Sequence, residues 1–234
     1  MFERAHHQRI AVLLGMLDGA LLRECRCLFG GGTAMALRFG EYRESLDVDF
    51  LVSDEGGYRA LRGLLRGQGG IAALVREGVQ APNTLQEVRV DQYGIRTRVD
   101  IGGVAIKFEI VRESRIVLDA PGTGGEICGI ATLSAVDMAA GKLLANSDRG
   151  MDDATFNRDA IDLAMMAPRR PLLDKALGKA EAAYGEDVRR DLAKAIQRLR
   201  MREHWLERCM QVMAMGQPRA VVWQRLRALE RKIG

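Results

Sequence analysis

This 234-residue chain has few cysteines, no strong excess of charge of one sign and no long apolar run. The four cysteines, Cys25, Cys27, Cys128 and Cys209, are too scattered for a disulfide framework, and their spacing to the histidines does not form a zinc site. No apolar run approaches the roughly 18 residues that a membrane span needs, and no signal peptide is recognisable. We therefore expect reduced thiols, no membrane partner and a cytoplasmic location.

The charges are numerous but nearly balanced. Charged residues make up 28% of the chain and apolar residues 47%, which is ordinary for a folded protein and excludes wholesale disorder. The 35 basic and 31 acidic residues leave a net charge of +4. A bias this mild is compatible with a polyanionic partner without indicating one.

The spacing of the apolar residues changes twice along the chain. Residues 5–23 carry them three and four apart, which predicts one amphipathic helix, and a period of two is typical of the strands that follow. Strands are predicted at 25–29, 46–52, 72–79, 84–92, 95–101 and 104–111, with a Gly102-Gly103 hairpin turn. Short helices are predicted at 33–40 and 58–65.

A glycine-rich, loop-like stretch at 112–129 precedes a tail whose spacing is helical almost to its end. Helices are predicted at 134–146, 155–167, 171–184, 186–199, 201–214 and 218–232. We therefore predict an α+β fold of two domains, 1–125 containing the sheet and 126–234 containing the helices.

A glycine turn and a pair of aspartates lie close together in the first of these domains. Glycines 30–32 precede Thr33 at the start of a predicted helix, where backbone N–H groups and the positive end of the helix dipole suit a phosphate. Asp47 and Asp49 lie one residue apart on a predicted strand, so both point to the same face. Their mutual repulsion needs an offset, and an oxygen-only pair suits Mg²⁺ or Mn²⁺.

A third carboxylate, Glu109, lies on the predicted strand 104–111. It shares a face with Lys107 and is flanked by apolar residues. Taken singly, each feature has an ordinary interpretation: the glycines as a plain turn, the aspartates as a solvated edge and Glu109 as half of a surface ion pair. Their order and spacing together indicate a phosphate and metal site.

Residues 31–37 (GGTAMAL) and 45–50 (SLDVDF) together resemble the AbiEii/AbiGii toxin branch of the nucleotidyltransferase superfamily. The superfamily signature is Gly-Gly/Ser, a spacer, and Asp-x-Asp/Glu, and Thr33 replaces the serine while keeping a hydroxyl. The resemblance implies a nucleotidyltransferase-like mixed sheet with flanking helices, followed by a C-terminal helical bundle. It also implies a third carboxylate on a later strand, which matches Glu109, with Asp100 and Asp91 as alternatives.

Residues 140–145 (AGKLLA) and 158–163 (RDAIDL) are similar to the later motifs of that branch. These motifs imply that Lys142 reaches back across the cleft to the nucleotide phosphates and that Asp159 and Asp162 lie near the active site. In the alternative interpretation Lys142 is a solvated helix lysine, and Asp159 pairs with Arg158 or Arg149.

The resemblance implies that the chain transfers a nucleoside monophosphate from an NTP to an acceptor hydroxyl and releases pyrophosphate. Asp47, Asp49, Glu109 and Lys142 are then the catalytic candidates, and the first three are the ligands of Mg²⁺ or Mn²⁺. The nucleotide-binding candidates are Gly31, Gly32, Thr33, Ser45, Lys142 and Asp159.

The same resemblance implies a type IV toxin–antitoxin or phage-defence role, with a tRNA 3′ end as acceptor and an antitoxin as partner. The basic tail suits RNA and equally suits a solvated helix surface; its residues are Arg198, Arg200, Arg202, Arg208, Arg219, Arg225, Arg227, Arg231 and Lys232. Two alternatives remain open: transfer to a small molecule such as an aminoglycoside or to a protein hydroxyl, and nucleotide binding by a regulator that does not turn over.

Overall fold

The computed structural model describes residues 2–67, 69–121 and 125–233. These residues belong to two compact units. The sheet unit comprises Met1–Arg38 and Ser45–Ser134, and the helical unit comprises Phe39–Glu44 and Ala135–Gly234. The predicted division into domains 1–125 and 126–234 stays a prediction.

Five strands form the main sheet of the sheet unit. They are β1 (Leu28–Gly30), β2 (Val48–Val52), β3 (Asn83–Val90), β4 (Gly94–Ile101) and β5 (Val104–Arg112). Their spatial order is β1-β2-β5-β4-β3, with β2 and β5 parallel and the other neighbours antiparallel. This arrangement confirms the predicted mixed sheet.

Alternation along β2 and β5 gives the sheet an apolar face and a polar one. Val48, Phe50, Phe108 and Ile110 are fully buried. The ring of Phe50 lies 5.6 Å from that of Phe29 and 5.5 Å from that of Phe108, between centroids. Because side chains alternate along a strand, the residues between these apolar positions point to the other face.

The turn between β4 and β5 confirms the predicted hairpin. Gly102 and Gly103 have φ values of 61° and 79°. Two consecutive positive φ angles match the two-residue turns whose twist suits a hairpin, and glycine adopts them at no steric cost.

The prediction of one helix over residues 5–23 is wrong, because the chain breaks it near Leu17. The structure has α1 (Ala5–Met16) and α2 (Gly19–Glu24) instead. The Asp18 carboxylate accepts from the backbone N–H of Ala20 at 2.9 Å and of Leu21 at 3.0 Å, which is an N-cap. A new helix therefore begins where the apolar spacing alone predicted continuation.

The predicted strand at 72–79 is also wrong. A 3-10 helix occupies Gly70–Leu74, and beyond it Val75 forms only an isolated bridge with Leu17. Ile71 and Leu74 are buried three residues apart, which is the repeat of a 3-10 helix. The other helices of this unit are α3 (Gly31–Arg38) and α4 (Glu55–Arg66), close to their predicted positions.

The predicted loop at 112–129 contains one short element. Strand β6 (Glu126–Ile127) pairs with β7 (Ile130–Ala131), and residues 122–124 of the loop lie outside the described residues.

The helical unit confirms the predicted helical tail. Its helices are α5 (Ala135–Arg149), α6 (Arg158–Met166), α7 (Arg170–Tyr184), α8 (Asp187–Met201), α9 (Trp205–Val212) and α10 (Arg219–Ile233). Each buries residues three and four apart, as Val222, Leu226, Leu229 and Ile233 do on α10. Within the described ranges, no helix is both long and apolar enough to cross a membrane.

Candidate active site

The turn from β1 into α3 brings the backbone against one of the predicted aspartates. Gly31 has φ 67°, and a methyl group on its Cα would lie 2.4 Å from Asp49 Oδ2. Gly30 is the register partner of Asp49 across β1 and β2. Glycine is therefore required at position 31 both by its φ angle and by the closeness of the Asp49 carboxylate.

The hydroxyl of Thr33 organises the segment that leads to β2. Thr33 is completely buried in α3. Its hydroxyl donates a hydrogen bond to the Asp47 carbonyl oxygen at 2.5 Å and lies within hydrogen-bond distance of the Ser45 hydroxyl, at 2.8 Å. Gly32 lies beside it in the first turn of the helix. The structure thus gives Thr33 and Ser45 a positioning role, and their phosphate contact stays a prediction.

The sequence predicts Asp47 on the strand 46–52, and this prediction is wrong. Strand β2 begins at Val48, so Asp47 ends the preceding loop as an exposed residue, and Asp49 is half-buried on the strand. Strand alternation therefore sets the direction of the Asp49 side chain but not that of Asp47. The loop that contains Asp47 is instead held by the hydrogen bond that the Thr33 hydroxyl donates to the Asp47 carbonyl oxygen.

Glu109 is the register neighbour of Asp49, one strand away on β5. The alternatives lie elsewhere: Asp100 is the partner of Ala105 near the hairpin end of β4, and Asp91 accepts from the backbone N–H groups of Tyr93 and Gly94 at 2.7 and 2.9 Å. The geometry favours Glu109 as the carboxylate that accompanies Asp49.

Both carboxylate oxygens of Glu109 are bound by basic side chains. Arg96 Nε lies 2.5 Å from Oε1, and Lys107 Nζ lies 2.6 Å from Oε2. Burial raises the pKa of Glu109, but the hydrogen bonds from Lys107 and then Arg96 outweigh it, so the pKa lies below its ordinary value. Glu109 is therefore ionised at neutral pH and already paired.

The donor chemistry of these carboxylates fits a hard divalent cation, since every candidate ligand is an oxygen atom. The described residues nevertheless contain no assembled group of three acidic, histidine or cysteine side chains that could hold a metal. Asp47 and Asp49 supply the pair, and Glu109 faces Arg96 and Lys107 instead. The metal stays a prediction for which the residue types fit.

The helical unit contains a buried charge cluster around the predicted Lys142. Lys142 Nζ lies 2.9 Å from Asp159 Oδ1 and 2.6 Å from Asp162 Oδ2. Arg149 Nε donates to Asp159 at 2.8 Å, so the interpretation of Asp159 as a partner of Arg149 is confirmed. Lys142 is buried, which excludes the interpretation of a solvated helix lysine.

Asp162 has further partners in the segment Phe39–Glu44. Arg43 binds it through two nitrogens, Nε to Oδ1 at 2.6 Å and Nη2 to Oδ2 at 2.9 Å, and the Tyr42 hydroxyl donates to Oδ1 at 2.7 Å. Burial raises the pKa of Asp162, but Lys142 and Arg43 bring it below its ordinary value. At Asp159 burial also raises the pKa, but the charges and hydrogen bonds of Lys142 and Arg149 outweigh it, so this pKa too lies below its ordinary value.

Sequence reasoning missed Arg43, Tyr42 and Arg96 as members of these clusters. Arg43 and Asp162 are 119 positions apart, and no local pattern links them. Lys107 had a signal, because strand alternation places it on the face of Glu109.

Two solved structures share this fold over nearly the whole chain. A crystal structure of a candidate nucleotidyltransferase from H. pylori matches with a TM-score of 0.51, covering 97% of this chain and 91% of its own. JHP933 from Helicobacter pylori matches with a TM-score of 0.53, covering 100% and 92%. Both are 16% identical to this chain, so the likeness establishes a nucleotidyltransferase-like fold alone.

The profile of the nucleotidyl transferase AbiEii toxin family, of type IV toxin–antitoxin systems, matches residues 17–229. The chain therefore belongs to this family, and the resemblance seen in the sequence is confirmed. Membership supports nucleotidyl transfer as its general class of chemistry. A search of curated proteins gives no match.

Proposed function

We propose that this chain is a metal-dependent enzyme that moves a nucleoside monophosphate from an NTP to an acceptor hydroxyl and releases pyrophosphate. The observation that carries the proposal is the register of Asp49 with Glu109 on parallel strands, directly beside the positive-φ turn at Gly31. This arrangement combines carboxylate oxygens with the half-buried backbone at the start of α3, which is the combination that a nucleoside triphosphate with its cation needs.

Each candidate has a role in this proposal. Backbone N–H groups of Gly31 and Gly32, with the hydroxyls of Thr33 and Ser45, hold the terminal phosphates. The phosphate-binding role of Lys142 and Asp159 stays a prediction from the resemblance, and the Lys142 ammonium pairs with Asp159 and Asp162 in this structure. Asp47, Asp49 and Glu109 hold Mg²⁺ or Mn²⁺, which supplies electrostatic stabilisation of the developing charge. A Glu109 carboxylate oxygen accepts the proton of the attacking hydroxyl once it has left its ion pairs.

The acceptor in this proposal is the 3′ end of a tRNA, in a type IV toxin–antitoxin or phage-defence setting, with an antitoxin as partner and the cytoplasm as location. The family description names a type IV toxin, which supports the antitoxin. The exposed arginines of the helical unit support an RNA acceptor, because such side chains bind phosphates.

The test incubates the full chain with Mg²⁺, each α-labelled NTP in turn and total tRNA. An Asp47→Asn/Asp49→Asn variant runs alongside, with its fold checked by circular dichroism. We expect label on tRNA with the native chain and at least a hundredfold less with the variant, roughly the effect of losing transition-state charge stabilisation.

Other outcomes of the same assay decide between acceptors. Label on a protein or small molecule would retain the chemistry and replace the acceptor. NTP binding without label on any acceptor would contradict transfer and favour a nucleotide-binding regulator.

A further inference from the structure

Lys107 is an unusual residue for its place in this chain. Only six of the 35 basic residues are lysines, and Lys107 is the only lysine before Lys142. Every other basic position of the sheet unit is therefore an arginine or a histidine. Lysine carries a compact charge on a flexible stem, whereas arginine presents a fixed fork, so the two are not interchangeable at an ion pair.

Lys107 contacts one of the three predicted metal ligands and is influenced by the charges of the other two. Its Nζ lies 2.6 Å from Glu109 Oε2, and it is attracted electrostatically by Asp47 and Asp49. Arg96 holds the other oxygen of Glu109. An ordinary surface ion pair leaves its carboxylate in water, but the Glu109 side chain is only 13% exposed.

This arrangement accounts for the lack of an assembled three-carboxylate group among the described residues. Asp49 and Glu109 are register partners, so their backbones are already adjacent. Two adjacent carboxylates repel one another, and a positive charge is needed beside them. The ammonium of Lys107 supplies that charge in this structure.

We propose that Lys107 and Arg96 form a basic clamp that acts as an internal counter-ion, and that a divalent cation must displace Lys107 from Glu109 to bind at the three carboxylates. The proposal rests on the metal-dependent function proposed above. Lys107 thereby lowers the affinity of the nucleotide-free chain for the metal.

The test is a Mn²⁺ titration of the full chain without nucleotide, with free Mn²⁺ followed by electron paramagnetic resonance. Lys107→Met is compared with Arg98→Met, because Arg98 is the exposed register partner of Lys107 on β4 and its loss removes the same charge. We expect Lys107→Met to tighten Mn²⁺ binding roughly threefold to tenfold relative to Arg98→Met, as loss of a half-exposed charged hydrogen bond predicts.

A Glu109→Gln background identifies the group through which Lys107 acts. If the clamp is correct, adding Lys107→Met to Glu109→Gln tightens Mn²⁺ binding by less than it does in the native chain, because only the weaker interaction of Lys107 with Asp47 and Asp49 remains to be removed. An equal gain in the two backgrounds would overturn the clamp. Thermal denaturation of each variant verifies that it is folded.

The remaining variant separates this proposal from the function on which it rests. Equal affinities for Lys107→Met and Arg98→Met, with binding still weakened by Asp47→Asn/Asp49→Asn, would overturn the clamp and leave the metal site standing. Mn²⁺ binding that is absent, or indifferent to the two aspartates, would overturn both.

Discussion

At the scale of single residues, Asp162 is a buried carboxylate at the centre of the charge cluster of the helical unit. It is fully buried and receives Arg43, Lys142 and the Tyr42 hydroxyl. We expect Asp162→Asn to lower the free energy of unfolding by about 3–5 kcal/mol, because it leaves the buried Arg43 without its counter-charge and Lys142 with Asp159 alone. Urea denaturation at neutral pH measures the change.

A matched variant controls for the loss of a negative charge in general. Asp174 pairs with Arg170 on the surface of α7, at 3.1 Å and with 47% of its side chain exposed. Asp174→Asn is expected to change stability by less than about 0.5 kcal/mol. Similar losses for the two variants would contradict the role assigned to the buried cluster.

The cluster also predicts how stability depends on pH. The pKa values of Asp159 and Asp162 are lowered in the folded protein, so at acid pH the unfolded chain binds more protons. Their contribution is complete above the ordinary aspartate pKa of about 4 and is lost as the pH falls further. Denaturation across a pH series therefore gives a steeper acid loss for the native chain than for Asp162→Asn, and parallel curves would refute this.

Single residues also show where sequence reasoning reaches its limit. Glu109 was predicted because strand alternation is local, and the same alternation places Lys107 beside it. Arg43 was missed because its partner is 119 residues away, and only the folded chain brings them together. Ion pairs of that kind depend on packing between distant segments, which no periodicity reports.

At the scale of elements, the wrong predictions of a helix over 5–23 and of a strand at 72–79 both relied on the spacing of apolar residues alone. Apolar spacing continues across Leu17 because residues on both sides of the break are buried, so periodicity alone does not locate the end of α1. The Asp18-Gly19 pair was the local signal, since aspartate is a preferred N-cap. At 72–79 a short apolar run fitted a strand, although burial there follows the three-residue repeat of a 3-10 helix.

The junction between β1 and α3 gives a prediction for Gly31. An alanine there needs a left-handed backbone and places its methyl group 2.4 Å from Asp49 Oδ2. We expect Gly31→Ala to cost about 1–3 kcal/mol of stability and to displace the Asp49 carboxylate, which lowers transferase activity further than stability alone explains. Denaturation and the labelled-NTP assay measure the two effects.

Gly15 supplies the control for this substitution. It lies inside α1, and a methyl group on its Cα would meet nothing within 4 Å. Gly15→Ala is expected to stabilise the protein by up to about 1 kcal/mol, because alanine favours a helix. Equal behaviour of the two variants would show that the approach of Gly31 to Asp49 has no consequence.

At the scale of the whole molecule, the α+β class followed from the order of the periodicities, which are local properties of the sequence. The sequence does not show in this way that Phe39–Glu44 belongs to the helical unit, because that depends on contacts between distant residues, such as that of Arg43 with Asp162. The distribution of charge likewise becomes informative only in the folded chain, where ion pairs separate some arginines of the basic tail from others.

Several basic residues of the tail are neutralised by acidic neighbours. Arg198 and Arg202 pair with Asp153, Arg200 pairs with Glu230, and Arg219 pairs with Glu207. Arg227 and Arg231 differ from these, since neither has an acidic partner among the described residues; both are exposed and lie one turn apart on α10, where Arg227 lies over the ring of Trp223. Like charges at that spacing repel one another, so a bound phosphate would relieve them.

If the acceptor is RNA, this face of α10 is expected to contact its phosphates. Each phosphate contact adds about one unit to the slope of log affinity against log salt, so Arg227→Gln/Arg231→Gln should reduce that slope by about two. Arg200→Gln/Arg219→Gln removes the same net charge from arginines that are already paired, and should change the slope by less than one. Fluorescence anisotropy with labelled tRNA across a KCl series measures both. Equal slopes for the two variants would mean that α10 does not contact the RNA through Arg227 and Arg231, and that the exposed arginines only solvate the helix.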